Sequence, residues 1–85
     1  MKFSPLCTRD EGREIYFTGS EFDRKYRFTL SREMLDDECG DTASEADRKA
    51  WVEAHMPGVI SALKARTEGG RVTPPYNRVL VEELS

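Results

Sequence analysis

Cys39 and His55 are the side chains with the sharpest chemical potential in this chain, since an imidazole brought within hydrogen-bond reach of a thiol can activate it as a nucleophile, with an aspartate orienting the ring. His55 is the only histidine. That excludes a His-rich metal site and a relay of two imidazoles within one chain. Neither residue sits in a recognisable nucleophile signature. The preferred reading is therefore a histidine on a helix surface or at a helix kink and a small, half-buried thiol, with no catalytic residue assigned. Cys7 reads as a half-exposed residue of an N-terminal arm. Two cysteines are too few for a disulfide framework and lack the paired spacing of a zinc site, so reduced thiols are expected.

Asp36-Asp37-Glu38, with Asp41 just beyond Gly40, invites a calcium-loop reading, but the register defeats it. A loop starting at Asp36 places Asp41 where glycine is required. One starting at Asp37 places Thr42 there and Arg48 where the bidentate glutamate belongs. A solvated helix end with turn residues is preferred, and no metal site is assigned. Gly69-Gly70 follows a helix rather than preceding one, so the dipole there repels phosphate. No cofactor is expected.

Arg24, Lys25 and Arg27 interleave with Tyr26 and Phe28 in the manner of a nucleic-acid surface. Strand alternation separates them, however: Lys25, Arg27 and Thr29 share one face, while Tyr26, Phe28 and Leu30 share the other, where a core needs them. With 13 Lys plus Arg against 16 Asp plus Glu the formal charge is -3, without the basic excess of a nucleic-acid binder. A local patch of Lys25, Arg27 and Arg78 is the alternative surface, and nucleic acid the less favoured partner.

The elements that position these groups must fit in 85 residues, 38% hydrophobic and 34% charged, which allows one small domain over 1–85 with a modest core. Residues 1–12 read as an arm followed by a turn. Arg13–Thr18 is a strand with Ile15 and Phe17 on one face and Tyr16 on the other, ended by Gly19-Ser20. The short connection Gly19–Asp23 joins it as a hairpin to the strand Arg24–Leu30. Ser31 caps a short helix Arg32–Glu38 that buries Met34 and Leu35 and closes at Gly40. Thr42 and Glu45 fit a capping box for the main helix. There Val52, Met56, Val59, Ile60 and Leu63 form one stripe, with a kink or break near His55-Met56 because Pro57 lacks a donor. Gly69-Gly70 ends that helix. Arg71–Pro75 is an extended connection, and Arg78–Glu82 is the third strand, with Val79 and Val81 as its core pair and Leu80 opposite. The order strand, strand, helix, helix, strand predicts an α+β fold: a small antiparallel sheet with helices packed on one face. Its core is expected to include Tyr26, Phe28, Leu30, Leu35, Val52, Ile60 and Leu63.

Phe3-Ser4-Pro5, Arg13-x-Ile15-x-Phe17, Tyr26-x-Phe28-x-Leu30-Ser31 leading into Met34-Leu35, a long helix and a closing Val79-x-Val81 together resemble a family of short bacterial proteins catalogued as domain of unknown function 1488. The resemblance covers nearly the whole chain. Its motifs are core and cap positions, and the family carries no activity to transfer, so it implies a fold and no site. Pro57-Gly58 and Pro74-Pro75 depart from the pattern.

Apolar groups remain once that core is filled. Trp51 lies beside the helical stripe, and Tyr16 and Leu80 project from the sheet opposite Ile15, Phe17, Val79 and Val81. With one helical layer, Tyr16 and Leu80 lie on an open face unless Phe3 and Leu6 of the arm fold over it or a protein partner covers it. The expected function is a small non-enzymatic interaction or regulatory module that binds an unidentified protein, or itself, through this sheet. No stretch is long and apolar enough to span a bilayer and the first ten residues lack a signal-peptide core, so a cytoplasmic location and no membrane partner are expected.

Overall fold

The computed structural model describes residues 1–84. In chain order the elements are β1 (Lys2–Phe3), β2 (Cys7–Arg9), β3 (Glu14–Glu21), β4 (Arg24–Leu30), α1 (Arg32–Cys39), α2 (Glu45–Ala54), α3 (Met56–Glu68), a 3-10 turn (Tyr76–Arg78) and β5 (Leu80–Glu83). The sheet is antiparallel, ordered β1-β3-β4-β5, with β2 also pairing β3 beyond β1. The α+β class is as expected.

The clean alternation of β4 decides which way the sheet faces. Tyr26, Phe28 and Leu30 are buried beside Ile15 and Phe17 of β3 and Val81 of β5, and Met34, Leu35, Val52, Val59 and Leu63 cover them from the helices. Phe17 and Phe28 are directly opposed across the β3–β4 ladder and stack at 4.9 Å. Ile60 departs from the expected core. It is only half-buried, because the stripe turns its edge toward the rim of the α3–sheet contact.

The arm is part of the sheet rather than a loose cover. β1 and β2 pair along β3 and are separated around Pro5, which has no ladder donor to give. Gly19 accordingly does not end β3. It lies opposite Phe3, and a side chain there would press on Met1 and Phe3 at about 3.0 Å. β3 therefore runs on to Glu21, and the hairpin turn shrinks to Phe22-Asp23. Phe22 takes φ 56, a left-handed value usual for glycine at the first central position of a hairpin turn.

Ser31 caps α1 by accepting from the Met34 N–H at 3.2 Å, and Gly40 closes the helix with φ 100, donating to Asp36 O. The next cap is Ser44 with Asp47, not Thr42 with Glu45: the Asp47 N–H donates to Ser44 Oγ and the Ser44 N–H to Asp47 Oδ2. Residues 40–43 are spent on the turn that closes α1, which delays the helix by two positions.

Arg48 explains why that turn holds its shape. Its side chain is fully buried; Nε–H donates to Ala43 O, Nη1 to Arg13 O, and Nη2 to Gly40 O, Asp41 O and Asp36 Oδ1. One guanidinium thus joins the end of α1, the α1–α2 turn and the start of β3. Arg48 lies one turn before Val52 on α2 and so shares its inward face, a position the apolar stripe beginning at Val52 does not reach.

The unbroken phase of the stripe argues for one kinked helix, but the structure divides it in two at His55, which closes α2 and opens α3, with Pro57 in the first turn of α3 where no intrahelical donor is needed. The helix ends at Glu68, followed by Gly69 with φ 80. Pro74-Pro75 lies in a turn rather than an extended connection and leads into the 3-10 turn. That turn sets the Tyr76 ring directly on Gly58, where any Cβ would fall inside the ring. β5 then begins at Leu80, two residues later than expected, after a buried Val79.

Candidate interaction surface

Sheet register builds the face turned away from the helices row by row. Cys7, Tyr16, Thr29 and Leu80 are consecutive ladder partners across β2, β3, β4 and β5, so Tyr16 and Leu80 flank Thr29 on the same surface. The adjacent row is Thr18, Arg27 and Glu82, and beyond it Ser20 pairs with Lys25. Leu80 is 53% exposed, whereas Thr29 between the two larger side chains is only 7% exposed. The ladder continues to Leu84, whose N–H donates to Lys25 O, adding a second exposed leucine near this edge.

Phe3 and Leu6 do not cover this face. Phe3 lies on the helix side, edge-on to Phe17 at 5.8 Å and to Phe28 at 6.2 Å, and Leu6 packs against the same core. Antiparallel pairing of Phe3 with Gly19 dictates that side, because directly opposed residues share a face. The arm instead covers Tyr16 with Arg9. The Arg9 guanidinium sits 4.5 Å from the Tyr16 ring centroid while its Nε pairs with Glu14 at 2.8 Å. Tyr16 is therefore half-buried, and Leu80 is the more open of the pair.

The three basic residues are divided. Lys25 and Arg27 stand on the open face, but Arg27 is opposed by Glu82 and lies low enough that its Nε is enclosed, without a hydrogen-bond partner among the described residues. Arg78, in the 3-10 turn, donates to Asp37 Oδ2 of α1 at 2.6 Å. Its charge is held by a carboxylate rather than pooled with the other two.

The remaining chemical candidates are engaged locally. His55 stacks on Trp51 at 4.1 Å and its Nδ1 lies 2.6 Å from Trp51 O; a carbonyl only accepts, so Nδ1 carries the proton. No hydrogen bond joins His55 to Cys39 among the described residues. Burial pushes the Cys39 thiol up, which disfavours the thiolate a nucleophile needs. In the acidic turn Asp36 is bound by Arg48 at 2.7 Å and faces Arg32 at 3.6 Å, and Asp37 is bound by Arg78. The Arg48 hydrogen bond holds the Asp36 carboxyl below its ordinary range, with the Arg48 and Arg32 charges adding to it against a desolvation cost. Among the described residues no three His, Cys, Asp or Glu side chains are grouped to hold a metal ion, and no helix is long and apolar enough to cross a membrane.

The sequence reading missed the fully exposed Phe22 at the hairpin tip and the cleft beside it. Its signal is the aromatic residue within a predicted turn, but the turn is confined to Phe22-Asp23 because Gly19 is mid-strand.

Comparison with family models, with curated proteins and with solved structures returned no match.

Proposed function

We infer that this chain is a non-enzymatic module that binds another protein through the sheet face carrying Tyr16 and Leu80. The observation that supports this reading is the row Tyr16–Thr29–Leu80: apolar surface set across three strands, on the side of the sheet opposite all the helical packing. A flat, half-apolar strip rimmed by Lys25, Glu82 and Ser20 suits a protein surface, where apolar groups contribute by excluding water and rim charges select the partner. Nucleic acid fits less well, since Glu82 opposes Arg27 and Asp37 holds Arg78. Kinship with the short bacterial family is part of the same proposal. Most of the residues that carry the resemblance, among them Ile15, Phe17, Tyr26, Phe28, Leu30, Met34, Leu35, Val79 and Val81, lie in the core, so it concerns architecture rather than activity.

Tyr16→Ser combined with Leu80→Ser tests the reading. Affinity capture from the source cells with wild-type and double-variant baits, followed by mass spectrometry, should show partners lost from the variant while its thermal melt remains cooperative. A folded double variant that captures the same partners removes this face from consideration. A salt-sensitive gel shift weakened by Lys25→Ala and Arg27→Ala would instead favour nucleic acid.

A further inference from the structure

We propose that the cleft between the β3–β4 hairpin and α3 is a binding site for a small zwitterion with an apolar body, namely an apolar amino acid or a dipeptide. The cleft has a volume of about 580 Å³, inside the roughly 300–1,000 Å³ of small-molecule sites. Met1 and Tyr26 from the sheet and Ile60 and Leu63 from α3 form its apolar wall. An apolar occupant accounts for Ile60, which the helical stripe assigns to the core and the fold leaves half-exposed.

Charges of both signs converge on that wall. Arg24 and Lys64 line the cleft, and so do Glu21 and Glu68. Two pairs among them are placed to neutralise one another: Glu21 and Arg24 are ladder partners, and Lys64 and Glu68 stand one helical turn apart on α3. Neither pair closes. The same placements do close elsewhere in the fold, Arg9 with its ladder partner Glu14 at 2.8 Å and Arg32 with Asp36 one turn on at 3.6 Å. Among the described residues none of the four cleft charges makes an ion pair.

Tyr26 supplies an independent observation. It is only 5% exposed, yet its hydroxyl remains open to water and has no hydrogen-bond partner among the described residues. Arg24 leans toward that hydroxyl without closing a hydrogen bond, and this proximity, with Glu83 adding to it, holds the guanidinium pKa above its ordinary value. A phenol and a cation thus meet at one point of a largely buried wall, a combination that receives a carboxylate. A ligand of one sign would be repelled by half of the lining. A zwitterion answers both halves, its carboxylate on Arg24 and Lys64 and its ammonium toward Glu21 and Glu68. The inference uses none of the Tyr16–Leu80 face and stands apart from it.

Leucine, phenylalanine and leucyl-leucine, each with its N-acetylated and C-amidated forms, test it when titrated into the full chain and followed by the backbone amide spectrum. At least one free zwitterion should shift the amides around Tyr26, Ile60 and Lys64 saturably, and blocking either of its termini should weaken binding by more than about tenfold, the loss of one charge-assisted contact. Arg24→Gln with Lys64→Gln should bind the amide and the free acid alike, and Glu21→Gln with Glu68→Gln should bind the acetylated and the free amine alike. All four residues are exposed, so both variants should melt as the wild type does. Tyr16→Ser with Leu80→Ser should bind normally. The absence of a saturable shift in the cleft with every zwitterion, or wild-type protein that takes the blocked forms as readily as the free ones, overturns the proposal. Shifts confined to the Tyr16–Leu80 face overturn it as well.

Discussion

Arg48 Nη2 meets Asp36 Oδ1 at 2.7 Å although the two belong to different helices, and the guanidinium is fully enclosed while the carboxylate remains at the surface. The pair is one arm of a five-bond junction whose other acceptors are the main-chain carbonyl of Arg13, just before β3, and those of the α1–α2 turn. A charge is stable in that position because every side of it is answered by an acceptor.

Arg48→Met keeps much of the aliphatic stem but strands the carbonyls of Arg13, Ala43 and Asp41, while Gly40 O keeps the Ala43 N–H. It should destabilise the protein by about 2–3 kcal/mol in chemical denaturation, the penalty for leaving enclosed polar groups unpaired. Hydrogen exchange should accelerate first in the α1–α2 turn. A variant with wild-type stability would show that the turn holds itself.

The same contact predicts how stability responds to acid. The Asp36 carboxyl has a lower pKa folded than unfolded, so its contribution is present above the unfolded value near 4 and is lost as pH falls toward the lowered folded value. Denaturation midpoints of the wild type should fall over that acidic window. Asp36→Asn, less stable near neutrality, should show a flatter acid limb, and identical limbs in the two proteins would refute the assignment.

Gly58 offers a test whose sign is unusual. Alanine normally favours a helix over glycine by roughly 0.8–1.0 kcal/mol. Here the added methyl group would occupy the Tyr76 ring, so Gly58→Ala should instead cost about 1–3 kcal/mol through overpacking. Adding Tyr76→Ala should relieve the clash, and thermal melts of the two single variants and the double variant should show strong coupling. A stabilised Gly58→Ala protein would mean that Tyr76 does not rest on α3.

What could be read from the residues was whatever short-range pattern controls. The alternation of Arg24–Leu30, the Ser31 cap and the interruption near His55-Met56 all depend on neighbours within one or two turns, and all three are found. Tyr16 and Leu80 were placed on the outer face by the same alternation. The strands of the arm were not legible, because two- and three-residue segments separated by Pro5 have no period to detect and form only against β3. Arg9 over Tyr16 is not legible in the sequence for that reason, being a product of register between separate segments. Arg78 was grouped with Lys25 and Arg27 because a strand was expected to begin there. The 3-10 turn carries it to Asp37 instead.

Gly19 under Phe3 bears on how this sheet avoids polymerising. With β1 and β2 laid along β3, the long strand's outer ladder is occupied by its own chain. At the opposite margin β5 is four residues long and carries Glu82 and Glu83, a brief and acidic template for any incoming strand. Both margins thus discourage runaway fibre-like addition, which allows an aggregation-prone stretch such as Ile15-Tyr16-Phe17 to sit in the interior of the sheet. On the proposed reading, recognition falls to side chains projecting from the sheet face, where contact is specific and reversible.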